Sequence, residues 1–527
     1  MKQCASVKFV IIHNHFRPGG VRRVIEMATP YLVRILRPRV DQVVLAAGEA
    51  PDGPWLDRFR AGLGAVPVVC RLEPALGYVA EKRQTPVVRE HRLHGFFEKL
   101  FGAMRTEDCV AWAHNQGLGR NPALTRELTR ACSRRSIPLV LHHHDWWFDN
   151  RWHRWSEMRR AGFRTITQVA ETFLPSLPHV RHAAINQADT AILQRHFHQR
   201  AGWLPNLADA APNPAAAQVR QAGRWLTEQL GEAAPVWLAP CRLLRRKNLA
   251  EALLLTRWLR PEAWLVTTGG ISSAEEQTYA RRLGTAARQA GWRLRLGLLS
   301  GDENSKPSVP ALLAASEAVL LTSLFEGFGL PYIEAAAAHR PLLARSLPNI
   351  APDLARFGFR FPQYYEELLV DPGLFDWSAE HQRQRRLFRV WQEQLPSACR
   401  RIAGRPALLE AKGAISPVPF SRLTLTAQLE VLRQPLATSW SLCAPLNPFL
   451  AEWRARAARG TLGVTPWPRQ AARWLGGAAY AARFTALLSA RPTDRLNPAA
   501  SLAAQREFIR QKLCAANLYP LTWCRNS

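Results

Sequence analysis

An α/β fold with two doubly wound parallel sheets is what this sequence predicts, and three observations lead there. At 527 residues the chain is longer than one core supports, because single hydrophobic cores rarely grow beyond about 250–300 residues. Short apolar runs alternate with longer amphipathic stretches in both halves, the pattern of strands laid side by side with helices crossing between them. Between the halves, residues 202–218 (GWLPNLADAAPNPAAAQ) are rich in Pro, Ala and Asn and read as a linker.

The first strand candidate, residues 7–12 (VKFVII), is apolar apart from Lys8, as suits a strand buried on both faces of a parallel sheet. A loop with Gly19 and Gly20 follows, then an amphipathic helix from about Val21. Strand, Gly-Gly loop and helix make half of a βαβ unit, and the glycines let the backbone approach a ligand closely. Strand candidates at 42–46, 66–72, 109–113, 138–142 and 183–185 continue the first sheet. Two of them end in histidine, His114-Asn115 and His142-His143-His144-Asp145, where a parallel strand delivers side chains to a ligand crevice. Neighbouring strand residues face opposite ways, so three consecutive histidines cannot converge on one ion. No nearby cysteine or HExxH pattern completes a site, and no metal is expected.

A second series runs from residue 235 through 264–268, 293–298, 318–322 and 342–344. Its first strand leads into Arg242 and Lys247, with Arg245 and Arg246 between them. A guanidinium gives planar, bidentate phosphate contacts and an ammonium a mobile point charge. Set against that, a basic run in an arginine-rich chain also reads as a solvated face, and Arg245 and Arg246 read as decoys. After 318–322 comes Glu326, a turn of Gly327, Phe328 and Gly329, then Leu330, Pro331 in a helix's first turn, and Glu334. Free N–H groups around that turn can meet an anion, and the carboxylates can accept hydrogen bonds from sugar hydroxyls. The plainer reading makes Glu326 an N-cap and Glu334 a solvated helix residue.

Taken in order, Gly19-Gly20, His144-Asp145, Arg242 with Lys247, and Glu326 with Glu334 resemble the signature of retaining GT-B glycosyltransferases, glycosyltransferase family 4 in particular. The resemblance covers roughly residues 7–375, with a looser continuation to about 436. It implies two Rossmann-like domains facing a cleft, and transfer of a hexosyl unit from a nucleotide diphosphate sugar to an acceptor hydroxyl. By the resemblance, Arg242 and Lys247 hold the departing diphosphate, Glu334 the ribose and Glu326 the sugar hydroxyls. The amides of Phe328, Gly329 and Leu330 serve the sugar or phosphate, and Gly19 and Gly20 lie over the donor. His144 faces the sugar, with His142 as the alternative, and His114 and Asn115 take the acceptor side. No covalent nucleophile stands out, so same-face attack assisted by the leaving phosphate is the expected mechanism, with no cofactor or metal beyond the donor.

The expected domains are 1–207 on the acceptor side, a linker at 208–232, a nucleotide-sugar domain at 233–436, and a helical extension at 437–527. Within the third, residues 419–432 (PFSRLTLTAQLEVL) read as a closing helix returning toward the first domain. Two other functions stay open, because fold does not fix reaction. One is a sugar-nucleotide epimerase or phosphorylase-like enzyme; the other is a catalytically silent basic scaffold.

Seventy Lys and Arg against 41 Asp and Glu leave a formal charge of +29, a field that draws anionic substrates, nucleic acid or an acidic membrane face. The arginines and tryptophans are scattered and match no nucleic-acid module, so no specific nucleic-acid partner is expected. Nine cysteines without a CxxC pair argue against a disulfide framework. The opening MKQCASVKFVII is not a convincing signal peptide, and no apolar run is long enough to cross a bilayer. These features suggest a cytoplasmic protein. The Arg- and Trp-rich extension reads either as packing on the core or as peripheral contact with the inner membrane face for a lipid-linked or anionic acceptor.

Overall fold

In the computed structural model the described residues are 6–523, apart from 82–83, 103, 105–107, 210–213, 272, 302–304, 412, 415 and 492–494. The chain divides into two compact units. One comprises Met1–Leu207, Gln394–Ile402 and Ala471–Lys512; the other comprises Ala208–Glu393, Ala403–Gln470 and Leu513–Ser527. Each is a doubly wound, Rossmann-like unit with a parallel sheet, as the alternating pattern predicts.

In the first unit, β1 (Ser6–Ile12), β2 (Arg39–Ala47), β3 (Val68–Leu72), β4 (Cys109–His114), β5 (Leu139–His143), β6 (Val180–Ala184) and β7 (Ala201–Trp203) lie in the order β3-β2-β1-β4-β5-β6-β7. All are parallel. Central strands covered on both faces must be apolar throughout, and β4 and β5 are buried at every residue. The order reverses between β1 and β4, which opens a crevice beyond their carboxyl ends.

A helix from the extension, Gly477–Ser489, completes this unit's core. Its Phe484 meets Phe9 edge-on at 6.1 Å and Trp112 at 5.6 Å between ring centroids. Tyr480, Phe484 and Leu487 are buried, each contributing about 1.5–3 kcal/mol relative to exposure. Gly477 sits so close to Tyr31 of the helix Gly20–Ile35 that any Cβ would collide with the ring. At the other end, Arg181 donates to the carbonyls of Leu487 (3.2 Å) and Ala490 (2.9 Å), pairing helix-end acceptors that have no intrahelical partner.

In the second unit, β8 (Val236–Ala239), β9 (Trp264–Thr267), β10 (Leu294–Arg295), β11 (Ala318–Leu321), β12 (Leu342–Arg345) and β13 (Gln363–Tyr365) lie in the order β10-β9-β8-β11-β12-β13. All are again parallel. A small antiparallel pair joins Leu369–Val370 to Val418–Pro419. Here the order reverses between β8 and β11. The helix after β8, Leu249–Leu259, is buried on nearly every side, which its Leu-rich sequence allows.

Several expectations need correction. Residues 202–203 belong to β7 rather than to a linker, and Leu204 and Leu207 are buried; a three-residue edge strand leaves too short an apolar run to read. β13, also a three-residue edge strand, carries no readable apolar run either. Of the stretch 208–232, residues 210–213 lie outside the described residues, and Ala216–Leu230 is a helix. The strand expected at 293–298 is only Leu294–Arg295, cut short by a turn in which Gly297 has φ 67°. The helix Leu425–Arg433 belongs to the second unit, within the domain expected at 233–436, and its Gln428 donates to Asn248 Oδ1 (3.1 Å).

The extension serves both units. Leu450 and Trp453 enter the core of the second and Tyr480 and Phe484 that of the first, while residues 492–494 and 524–527 lie outside the described residues. Its arginines stack on its own tryptophans, Arg454 over Trp440 at 4.4 Å and Arg483 over Trp474 at 4.9 Å. Among the described residues no helix is long and apolar enough to cross a membrane. The described cysteines are free thiols.

Candidate active site

The second sheet's reversal brings two strand ends together. After β8 the chain forms a tight 3-10 turn, Arg245–Lys247, followed by Asn248 in the left-handed region (φ 48°) and the helix Leu249–Leu259. After β11, the Thr322 hydroxyl lies 3.0 Å from the Lys247 carbonyl and 3.1 Å from that of Asn248, and Leu324 N–H donates to the Arg246 carbonyl at 2.8 Å. These bonds tie one strand-end loop to the other. As a result Lys247 Nζ donates to Glu326 Oε1, and Arg246 Nη1 donates to Glu326 Oε2 and to the Phe325 carbonyl, each at 2.9 Å. Burial alone would push the Glu326 carboxyl up. Lys247 and Arg246 more than reverse this and hold it down to about 2, so a buried carboxylate stays charged between two cations.

Arg246, read as a decoy from the sequence, is thus part of the cluster, since a tight turn points it and its neighbour Lys247 at one carboxylate. Arg245 is not part of it, because it is tied to Glu276. Arg242 is exposed on the loop just before and makes no ion pair among the described residues. Its side chain lies against Gly269, where a Cβ would stand 2.8 Å from Arg242 Cγ. Gly329, with φ 79°, begins the helix Leu330–Ala337, and a Cβ there would meet Tyr332 at 2.7 Å and Ile350 at 2.8 Å. No side chain caps this helix start. Phe328 is buried beside Phe357, and Glu334 is partly exposed on the helix.

Behind the turn lies an ion network that the sequence reading missed. Glu251, in the first turn of Leu249–Leu259, takes both oxygens to Arg345 Nη2 at 2.5 Å and accepts from Tyr365 (2.5 Å) and Asn248 (2.8 Å). Burial opposes the charge on Arg345, but Glu251, Tyr365 and Glu367 hold its guanidinium well above the usual range. The network locks Asn248, and with it the Lys247 turn, to the ends of β12 and β13.

In the first unit, alternation along β5 turns His143 one way, stacked on Trp146 and 3.3 Å from His182 Nδ1. His142 and His144 share the other face, and His114 joins them from β4, its Nδ1 3.1 Å from His144 Nε2. All three rings are buried. Burial pushes His142 down to about 4, and burial with neighbouring imidazoles pushes His114 and His144 well below the usual range. Asn115, left-handed at φ 58°, exchanges hydrogen bonds with Asp145 through its Nδ2 (3.2 Å) and Oδ1 (2.9 Å). Its side chain therefore braces the His144-Asp145 step.

Gly20 opens the helix after β1, and a Cβ placed there meets nothing within 4 Å. The chain's own packing does not call for glycine at this position; close approach of a ligand would. Gly20→Ala is therefore expected to leave the melting temperature unchanged or raise it slightly, since Ala for Gly in a compatible conformation stabilises by about 0.4–1 kcal/mol, while lowering transfer activity. Thermal melts and initial rates check this; unchanged rates would remove Gly20 from the site.

Residues 228–372, which span the second sheet, match the family model described as glycosyl transferases group 1. That domain and the matching relatives make this protein a glycosyltransferase. The chain is 26% identical over 376 residues to a mannosylglucosyl-3-phosphoglycerate synthase of Petrotoga mobilis, covering 68% of each chain. It is 25% identical over 314 residues to a mannosylglucosylglycerate synthase of Thermotoga maritima, covering 56% of this chain and 70% of that one. Among solved structures, Anabaena HepE in complex with UDP-glucose superposes over 66% of this chain and 82% of its own, at 18% identity and a TM-score of 0.44.

Proposed function

We propose that this glycosyltransferase moves a hexosyl unit, with retention, from a nucleotide diphosphate sugar to a small anionic acceptor. The observation that carries the reading is the convergence of Lys247, Arg246 and Glu326 at the reversal point of the second sheet, inside the region matching group 1 transferases. Lys247 and Arg242 neutralise charge on the departing diphosphate as the glycosidic bond breaks. Glu326 holds Lys247 until the diphosphate competes for it, and then serves the sugar hydroxyls. Glu334 takes the ribose, the amides of Phe328, Gly329 and Leu330 the sugar or phosphate, and Gly19 and Gly20 the donor. His144, His114 and Asn115 are assigned to the sugar and acceptor side. The acceptor attacks from the face the diphosphate leaves, and the basic residues make a divalent ion unnecessary for donor binding.

The two relatives are named for making glycosides of glycerate and phosphoglycerate. Together with a formal charge of +29, this favours a compact acidic acceptor over a lipid-linked one. Thermal stabilisation by UDP-, GDP- and ADP-sugars identifies the donor, and NMR of the anomeric proton in the product reports retention. A product with inverted configuration, or no transfer from any stabilising donor, overturns the proposal. Epimer formation without transfer indicates an epimerase instead, and phosphate dependence a phosphorylase-like enzyme.

The two glutamates separate by calorimetry. Glu334→Ala is expected to weaken binding of the bare nucleoside diphosphate by about tenfold or more, a loss of the size of one charge-assisted hydrogen bond. Glu326→Gln is expected to preserve or tighten that binding, because it releases Lys247, while transfer collapses. Equal weakening by both changes would mean the roles are misassigned.

A further inference from the structure

We infer that His114, His142 and His144 form a binding site for one borderline transition-metal ion of the Zn2+ class. The expectation of no metal rested on three neighbours along one strand and on the lack of a nearby cysteine or HExxH pattern; the first ground holds for His143, which faces away. Two strands supply the trio instead, His142 and His144 from the end of β5 and His114 from the end of β4, with one ligand nitrogen from each lying within 4.8 Å of the others.

The hydrogen bonds orient the rings for this. His142 Nε2 stands 3.2 Å from the Leu204 carbonyl, which only accepts, so Nε2 carries the proton and Nδ1 keeps its lone pair. Donation of the second ring nitrogen to a backbone carbonyl is the usual bracing of a metal-binding histidine. His114 Nδ1 and His144 Nε2 are 3.1 Å apart, close to the roughly 3.3 Å between two nitrogens that sit about 2.0–2.1 Å from one tetrahedral ion. A water can take the fourth position, beside the Tyr480 hydroxyl, which lies 3.4 Å from His142 Nδ1. Three imidazoles and no carboxylate favour Zn2+, Co2+ or Ni2+ over Mg2+ and Ca2+, which prefer oxygen. A metal-bound His144 meets a sugar hydroxyl only through the ion's fourth position.

Full-length protein stripped with a chelator is titrated with Zn2+ by calorimetry and with Co2+ by visible absorption. One ion per chain, intense tetrahedral Co2+ bands and a raised melting temperature are expected, with no comparable response to Mg2+. His114→Gln and His142→Gln should each weaken Zn2+ by at least about a hundredfold, while His143→Gln binds as wild type; near-UV circular dichroism identifies variants that fold. Should His142→Gln not fold, His114→Gln and His144→Gln carry the comparison. Wild-type protein that binds Zn2+ no more tightly than folded His114→Gln, or that gives weak octahedral Co2+ bands, overturns the site. Nucleoside diphosphate binding, measured on the same samples, is independent: its loss overturns the donor assignment and leaves the metal site standing, and the reverse holds equally.

Discussion

Lys247→Ala is expected to lower turnover by about a hundredfold or more while the protein stays folded. Preorganised cations stabilise charge that develops on the leaving group, and removing one such group from a water-poor site typically costs about 2.7–4 kcal/mol in the transition state. The fold survives because Glu326 keeps Arg246 at 2.9 Å and the backbone bonds from Thr322 and Leu324 do not involve the ammonium. Arg242→Ala is expected to show a loss of similar size, although its side chain is exposed and removed from the cluster here. Steady-state kinetics with the identified donor checks both. Normal turnover in both variants would sink the diphosphate assignment.

Glu251→Ala is expected to destabilise the second unit by about 3–5 kcal/mol, the cost of leaving a buried charge without its partner. Arg345 is 1% exposed and Glu251 fully buried. The remaining carboxylate near Arg345, Glu367, is shared with Ser421 and Arg422. Replacing both charges with apolar groups of similar size, Glu251→Leu with Arg345→Met, should recover much of the loss, since a missing pair costs less than half a pair. Urea unfolding curves measure each variant. A single variant within about 0.5 kcal/mol of wild type would mean the network relaxes without cost.

Much of this was legible from local pattern. Apolar runs of four to seven residues ending in Gly, His or basic residues located the central strands, because a strand covered on both faces leaves an unbroken apolar run. Spacing placed Lys247 and Glu326 at strand ends, but their contact depends on a strand order in which β8 and β11 are neighbours, and order is not local. Arg246 was discounted for the same reason. Glu251, Arg345 and Tyr365 are far apart in sequence, and no periodicity marks a charge whose partner lies two strands away. The histidines were read along one strand, whereas their grouping needs the register that puts His114 opposite His142.

The helix Gly477–Ser489 also has a consequence for how the protein is made. The strands of the first unit are all translated by Trp203, yet Phe484 and Leu487, which close over Phe9 and Trp112, follow roughly 280 residues later. At about 5–20 residues per second, a ribosome needs on the order of 15–60 s to cover that distance. During that interval the newly emerged sheet exposes an aromatic face whose natural cover has not yet been synthesised. The first unit is therefore the earliest part of the nascent chain to need shielding by a chaperone, and it stays incomplete long after its own strands have been made.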